Sequence, residues 1–474
     1  MAHGLWALAR ARGWNATLEG NAEFPDPSQS ALNVSFLPRA LLWLGLYVAL
    51  ALAPLAVAAV ADPIGMRRSP ELELAVAFGF VAFALITVEF ALVSRLRALA
   101  QPFGIDVLML FHRHMGIAAL AFVVAHALLV CAGRGSLALL DPFSGTTGDR
   151  SGAVALWSTV ALVGSSLVRR RLALRYEAWR LAHSALALTI AAAMLLHVLA
   201  VGGYTNATLV RTVVIAYVAL FLALMVRYRL FRPLSLWRRP WELVARREEG
   251  AGTRTLVLRP VGHAGIEFEP GQFVWLITGR TPFGLQQHPI TISSSAAGAT
   301  ERSIELSIKA LGDWSSQTVP RLSLGTRVWV DGPFGAFTID RVPAQGFVLI
   351  AGGIGIAPMR SILLSMRDRG DARPVVLIHA ARSRRRAVFV EELQSLQGSM
   401  DLRVAYVFEE PEPGWEGERG YVTAEILRRH LPPDPRLWQF FVCGPPPMLD
   451  VLERELAELS VAPERVQTER FGMV

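Results

Sequence analysis

Cysteine is nearly missing from this chain: Cys131 and Cys443 lie far apart and in unlike surroundings. That excludes a disulfide framework and any CxxC metal or redox pair. Lysine is scarce too. Arginine outweighs it heavily within a net charge of +8. The arginines cluster beside apolar runs, which is the pattern of a membrane-orientation signal and not of a nucleic-acid surface. Residues 1–37 are mixed and polar and lack the apolar centre of a secretory signal, leaving a cytoplasmic N-terminal segment. No EF-hand loop occurs, so calcium control through one is not expected.

What is present in excess is apolar sequence. The hydrophobic fraction is 53% and the mean hydropathy +0.39, above ordinary soluble composition. The excess sits in residues 41–228, in runs near twenty residues long. About 20 such residues in a helix cross the hydrocarbon layer. Six spans are expected, at about 40–61, 74–94, 108–132, 152–168, 178–201 and 208–228, within a domain covering 38–230. "RRRLALRYEAWR" follows the fourth span and "RYRLFRPLSLWRRPW" leaves the sixth, while "VGGYTNATL" after the fifth has no Lys or Arg. Positive-inside then puts both termini in the cytoplasm. Past residue 240 the texture is that of a soluble protein. Residues 240–342 hold short alternating runs such as "TRTLVLRP" and "SIELSIKA", which predict a small antiparallel β-barrel. Residues 343–474 alternate strand and helix, which predicts a parallel α/β sheet.

The third span, "FHRHMGIAALAFVVAHALLV", carries three histidines in an otherwise apolar run. His112 and His126 are fourteen residues apart, and so are His183 and His197 on the fifth span. Fourteen residues is just under four turns, so each pair shares a helix face with about 21 Å between its members. Neutral imidazole is a common metal and axial haem ligand. Two facing helices would clamp two centres, His112 with His183 inside and His126 with His197 outside. The alternative is that each histidine is a polar residue bonded to a neighbouring helix. His114 is rotated about 120° away and is the poorer ligand. Arg180, Arg113 and Arg95 stand at the inner end, as propionate partners or as orientation charges. Glu89, inside the second span, is an expensive residue that pairs with an arginine or helps protons move.

Three further motifs suggest nucleotides. "HPITISSS", His288 to Ser295, places hydroxyls on a barrel strand. "LGDWSSQTV" has Gly312, with Ser315 and Ser316 opening a short helix suited to a pyrophosphate. "LIAGGIGIAPMRSIL" sets Gly352, Gly353 and Gly355 between a strand and a helix, without the GxGxxG spacing. "FVCGPPPML" ends a later strand, where ligands bind in such sheets. Cys443 there touches a nicotinamide or is a buried small hydrophobe. Ser383, Arg384 and Arg385 follow the second strand of the α/β domain, where an adenosine 2′-phosphate would lie, or form a solvated basic loop.

"PGQF", "HPITISS", "IKALGDWS", "DGPFGAF", "AGGIGIAP" and "CGPPPML" occur in the order typical of the ferredoxin-NADP reductase superfamily. With the histidine pairs before them, residues 74–474 resemble the bacterial NADPH oxidase/ferric reductase family. The resemblance implies a six-helix transmembrane bundle, an antiparallel β-barrel FAD domain and an α/β parallel-sheet NAD(P) domain. It implies FAD on His288, Pro289, Ile290, Thr291, Ile292, Ser293 and Ser294, with its pyrophosphate on Gly312, Ser315 and Ser316. NADPH, with NADH possible, would bind Gly352, Gly353, Gly355 and Pro358, with Cys443, Gly444 and Pro445 by the nicotinamide. Phe471 would stack on the flavin, although it stands fourth from the end where several relatives end on the aromatic. Two haems b would sit on the four histidines. Such an enzyme passes electrons from cytoplasmic NADPH through FAD and both haems across a bacterial plasma membrane, to O2 or a ferric chelate. The sequence shows no need for a protein partner. A quinone or a periplasmic protein as acceptor, or a non-enzymatic haem-binding sensor, remain alternatives.

Overall fold

The computed structural model describes residues 36–61, 69–94, 105–169, 171, 176–297, 303–341 and 343–470. Residues 1–35, Arg95 and Phe471 lie outside them. Six helices are long and apolar enough to cross a membrane: α1 Phe36–Ala61, α2 Pro70–Leu92, α3 Ile105–Arg134, α4 Thr147–Val168, α5 Tyr176–Val201 and α6, which starts at Thr208. α2 and α4 begin four to five residues before the apolar run does, because polar residues make good helix starts. Pro70 opens α2, with Glu71 and Glu73 in its first turn. α4 opens on a capping box in which Thr146 and Asp149 bond each other's backbone N–H. α6 runs on to Trp237, past its apolar stretch. That extension carries Arg232 onto the soluble part.

Half of the α2 window is buried, against 11–28% for the other five helices, so α2 is the centre of the bundle. Phe80 and Phe83 of α2 pack with Val210, Val214 and Val218 of α6. α3 lies against α2 and α5 against α4.

The soluble part holds two six-stranded sheets. The first is antiparallel, in the order β4-β3-β6-β1-β2-β5, with β1 Trp241–Gly250, β2 Thr253–Pro260, β3 Phe273–Ile277, β4 His288–Thr291, β5 Ile304–Lys309 and β6 Arg327–Phe334. A bridge between Ile292 and Leu306 joins its two edges and closes the barrel, around a core that includes Trp241, Leu243, Leu256 and Leu276. The second sheet is parallel, in the order β10-β9-β8-β7-β11-β12. Its strands are β7 Phe347–Gly352, β8 Val375–Ala381, β9 Leu402–Phe408, β10 Glu418–Arg419, β11 Gln439–Gly444 and β12 Val466–Arg470. Helices α7 Ile356–Arg369, α8 Val390–Gln397, α9 Ala424–His430 and α10 Pro446–Glu458 complete this unit. The strand order reverses between β7 and β11, which is where such sheets form a ligand crevice.

Two junctions fix the parts to one another. At the membrane side, Arg232 donates from Nε and Nη2 to Asp331 of β6. Arg180 of α5 donates to the Leu285 carbonyl at 2.8 Å, and Gln286 donates to Glu177 at 3.2 Å. Between the two sheets, the buried Arg360 of α7 donates to the Ser293 carbonyl and Glu305 on the barrel and to Glu392 on α8. Burial works against the guanidinium charge, yet Glu392 and Glu305 hold its pKa above the usual arginine range. Burial also opposes the Glu305 charge, and Arg247 and Arg360 hold that carboxyl below its usual range.

Candidate redox site

The four spaced histidines come together as two pairs. His112 and His183 have ring centres 6.4 Å apart, and His126 and His197 have theirs 6.0 Å apart. Two metal–imidazole bonds of about 2 Å, with each ring centre roughly 1 Å behind its nitrogen, put the rings of a bis-imidazole site roughly 6 Å apart.

The hydrogen bonds decide which nitrogen is available. His126 Nδ1 lies 2.7 Å from the Ala75 carbonyl of α2, and His197 Nδ1 lies 2.7 Å from the Gly148 carbonyl of α4. A carbonyl only accepts, so each Nδ1 carries the proton and each Nε2 keeps its lone pair. His183 Nδ1 meets Ser166 Oγ at 3.3 Å. The Ser166 hydroxyl donates to the Leu162 carbonyl at 2.6 Å, so its oxygen accepts from the imidazole. His112 Nδ1 meets the Glu89 carboxylate. Three of the four Nδ1 atoms are thus hydrogen-bonded to a neighbouring helix and His112 Nδ1 is in contact with one, and none of the four Nε2 atoms makes a hydrogen bond among the described residues. The two readings of these histidines are therefore compatible, because one nitrogen anchors the ring and the other is left to ligate.

Glycine makes room for the outer pair. A Cβ on Gly79 would stand 2.9 Å from His126 Nδ1, and one on Gly152 would stand 2.7 Å from His197 Nδ1. Each glycine lies four residues after the carbonyl that its histidine bonds. The described residues hold no group of three or more His, Cys, Asp or Glu side chains placed to hold a metal ion. Paired, facing imidazoles with free Nε2 atoms suit the two axial positions of a haem. His114 is exposed and bonds its own helix at the Leu110 carbonyl. Arg113 is exposed, and Arg180 is committed to Leu285.

On the barrel, the His288 ring stacks on Trp314 at 3.8 Å and 15°. Burial pushes the His288 pKa down to about 4, so the ring is neutral at pH 7. Among the described residues, His288 Nε2 and Thr291 Oγ1 are buried without a hydrogen-bond partner, two polar groups of the kind a flavin would satisfy. Pro289 and Ile290 are half-buried between them. Ile292 and Ser293 come next in the chain. Both are fully buried: Ile292 makes the bridge that closes the barrel, and Ser293 Oγ bonds Ser307 Oγ and the Glu305 carbonyl. Ser294 Oγ accepts from Glu305 N, and its carbonyl accepts from Ser361 of α7. Ser315 Oγ accepts from the N–H groups of Leu311 and Gly312, so it builds the turn itself. Gly312 and Ser316 are exposed.

At the reversal point, Gly352, Gly355 and Gly444 let β7 and β11 meet backbone to backbone. A Cβ on Gly355 would lie 2.1 Å from the Cys443 carbonyl, and one on Gly352 would lie 2.4 Å from Met448 Sδ. Gly353 takes φ +56, which turns the loop. Pro358 is buried in the first turn of α7 and Pro445 is exposed beside the crevice. The Cys443 side chain is fully buried in the core with Phe441 and Met359. Burial raises the thiol pKa well above its usual value. Its side chain alternates inward on the strand, so it supports the crevice floor as a small hydrophobe and presents no thiolate. Ser383 follows β8, and Arg384 and Arg385 are exposed just after it. Arg385 pairs with Glu412 and Arg382 with Glu410, whereas Arg384 has no acidic partner among the described residues.

The motifs did not reveal Lys309, whose Nζ lies 3.5 Å from where a Gly353 Cβ would be. It places a positive charge on the glycine loop, and its rarity was the available signal. Trp314, Arg360, Gly79, Gly152 and Ser166 were also missed, because their partners are remote in sequence.

Three regions match known families: residues 78–195 the ferric reductase like transmembrane component, 256–338 an FAD-binding domain and 349–454 an oxidoreductase NAD-binding domain. The reductase component of propane 2-monooxygenase from Rhodococcus jostii is 34% identical over 218 residues, covering 44% of this chain and 57% of that one. A stachydrine N-demethylase reductase subunit from Rhizobium meliloti is 30% identical over 247 residues, covering 51% of this chain and 69% of that one. The FAD/NAD-binding domain of a nitric oxide dioxygenase from Vibrio cholerae superposes with TM-score 0.45 at 22% identity, covering 49% of this chain and 98% of that one.

Proposed function

We propose a direction and a route of electron flow for this chain, which belongs to the oxidoreductases that join a ferric reductase-like transmembrane domain to FAD- and NAD-binding domains of the ferredoxin-NADP reductase type, as in the NADPH oxidase/ferric reductase family. Electrons enter from NADPH on the arginine-rich, cytoplasmic face. They leave on the opposite face, to O2 or a ferric chelate. Bound FAD supplies hydride acceptance and one-electron release, and two haems b supply one-electron relay.

One contact carries the proposal. Arg180 donates to the Leu285 carbonyl at 2.8 Å. Arg180 stands three residues before His183, and Leu285 three residues before His288. The flavin strand and the inner histidine pair are therefore held at one junction, and the outer pair lies about 21 Å further along the same helices.

The residues divide the work. Gly352, Gly353 and Gly355, with Lys309, receive the dinucleotide phosphates. Ser383 and Arg384 bind the 2′-phosphate. His288, Thr291 and Ser294 orient the flavin, and Phe471 covers it. His112 with His183, and His126 with His197, hold the haems through Nε2. Low-dielectric helices around each pair exclude water. The protein is an integral membrane protein of six spans with both termini cytoplasmic.

The test is anaerobic addition of NADPH to the purified protein, followed by admission of O2 or a ferric chelate. Flavin and haem absorbance should both show reduction and then reoxidise. His126→Ala should keep NADPH-dependent flavin reduction while losing one haem and acceptor reduction. A protein that holds no haem, or a His126→Ala variant that keeps both, would refute this reading.

A further inference from the structure

Where the membrane helices meet the barrel there is a cleft with about 490 Å³ of empty space, part of it open to the outside. Arg180 of α5, Arg229 and Arg232 of the α6 extension, and Phe283 and Leu285 of the β3–β4 loop are among the residues that line it. Among the described residues the one lining carboxylate is Asp331, which accepts two hydrogen bonds from Arg232. Three guanidinium groups against one carboxylate leave two positive charges over. Arg180 donates to the Leu285 carbonyl and Arg229 to the Ser184 hydroxyl. Both acceptors are neutral, so among the described residues neither arginine is paired with a carboxylate. Each uses one N–H in these bonds, and a guanidinium carries five. The two charges repel each other. No histidine lines the cleft among the described residues, nor does any residue from His288 to Ser294, nor Gly312, Ser315 or Ser316.

The depth of the cleft matches a membrane surface. The apolar helix from Thr208 to Val226 has 19 residues, about 28 Å at helical rise, close to the ~30 Å of the hydrocarbon layer. Arg229 stands three residues further on, at the level of lipid headgroups. The chain stays apolar there. Leu230, Phe231, Leu234 and Trp237 are exposed past the end of the apolar stretch, and Phe283 is exposed on the barrel loop. Phe283 lines the cleft, and its ring centre lies 6.0 Å from that of Trp237. Exposed aromatic rings of this kind belong to a membrane–water interface.

We infer that this cleft binds the phosphate of an anionic phospholipid from the leaflet next to the barrel, with Arg180 and Arg229 on the headgroup and Phe283 and Trp237 against its glycerol and upper acyl chains. Guanidinium groups match phosphate oxygens in geometry, and a phosphate between the two arginines replaces their repulsion by attraction to a shared anion. A free phosphate would satisfy the arginines but leave the aromatic pair in water. A zwitterionic lipid carries its own cation beside the phosphate, which returns a positive charge to the cleft. The charge excess and the apolar rim together select an anionic amphiphile. The bound lipid bridges α5, the α6 extension and the barrel loop at the junction made by Arg180 and Leu285. Neither haem nor nicotinamide takes part in this inference.

The test places the full chain with its cofactors in nanodiscs of phosphatidylcholine, titrates phosphatidylglycerol into them and counts the retained lipid by native mass spectrometry. Wild type should keep one phosphatidylglycerol per chain in preference to phosphatidylcholine. Arg229→Gln should weaken that retention about tenfold, the worth of one charge-assisted contact, and Arg229→Lys, which keeps the charge, should stay closer to wild type. Phe283→Ala, at an exposed position, should weaken it about fivefold through lost apolar contact. Equal retention in wild type, Arg229→Gln and Phe283→Ala would overturn the inference. So would displacement of phosphatidylglycerol by inorganic phosphate, which would make the cleft a free-phosphate site with no use for the aromatic pair. Loss of haem or flavin from Arg229→Gln with lipid retention unchanged would assign the arginine to a cofactor and refute it as well. If Arg229→Gln does not fold, Phe283→Ala decides: weaker retention supports the lipid and unchanged retention refutes it.

Discussion

Replacing Gly152 by alanine should unseat the outer histidine pair. The added Cβ would lie 2.7 Å from His197 Nδ1 and 2.8 Å from Cε1, whereas comfortable heavy-atom contact begins near 3.5 Å. The ring must withdraw by roughly 0.8 Å. Its 2.7 Å bond to the Gly148 carbonyl then stretches past the usual range for an N–H···O bond. Losing that bond costs about 1 kcal/mol, and forcing the helices apart costs about 1–3 kcal/mol more. Haem affinity at the outer site should fall by one to three orders of magnitude, since about 1.4 kcal/mol is tenfold. The assay is the haem-to-flavin ratio of the purified protein, which should fall from two toward one on dilution. Gly79→Ala should act alike through His126, where the clash is 2.9 Å. Gly45→Ala, with nothing within 4 Å, should keep both haems. If Gly152→Ala retains both haems with an unaltered spectrum, or Gly45→Ala loses as much, the packing argument fails.

Arg384→Ala should raise the KM for NADPH about tenfold, the worth of one charge-assisted contact, while leaving NADH kinetics alone; an unchanged NADPH-to-NADH ratio removes Arg384 as the discriminator. Arg360→Ala leaves Glu305 and Glu392 without their buried counter-charge, which should cost about 3–5 kcal/mol, lower the unfolding temperature and slow flavin reduction by NADPH; a variant as stable as wild type would show that the Arg360 bridge is idle. His379 is fully buried on β8, and burial holds its pKa down to about 4, against about 6.5 in an unfolded chain. The unfolded state therefore binds more protons between those values, and stability falls as the pH drops from about 6.5 toward 4, by roughly 3 kcal/mol from this residue. Unfolding temperatures of the full chain measured from pH 7 to 5 should show the decline, and His379→Leu should flatten it; equal slopes would contradict the assignment.

Sequence alone determined the parts whose physics is local or periodic. Apolar runs longer than eighteen residues announce helices that cross a membrane, because only a helix satisfies its own backbone there. Alternation and glycine punctuation announce the two sheets, and the equal spacing of His112 with His126 and of His183 with His197 announces two levels on two helix faces. The folded chain decided what depends on approach between distant segments. That Nε2 is the free nitrogen of His126, His183 and His197 follows from acceptors on α2 and α4, between 17 and 51 residues away. That Glu89 stands behind His112 follows from the packing of α2 on α3. Ile292 and Ser293 belong to a motif that reads as a ligand strand, and only the folded chain shows that their side chains turn inward where the barrel closes against β5. Cys443 reads from sequence as a nicotinamide contact or a buried small hydrophobe, and alternation on a sheet buried on both faces turns its thiol into the core. Spacing shows which residues share an element and a face. Which neighbour they meet, and therefore which atom is left free to react, is settled only when the helices and sheets pack.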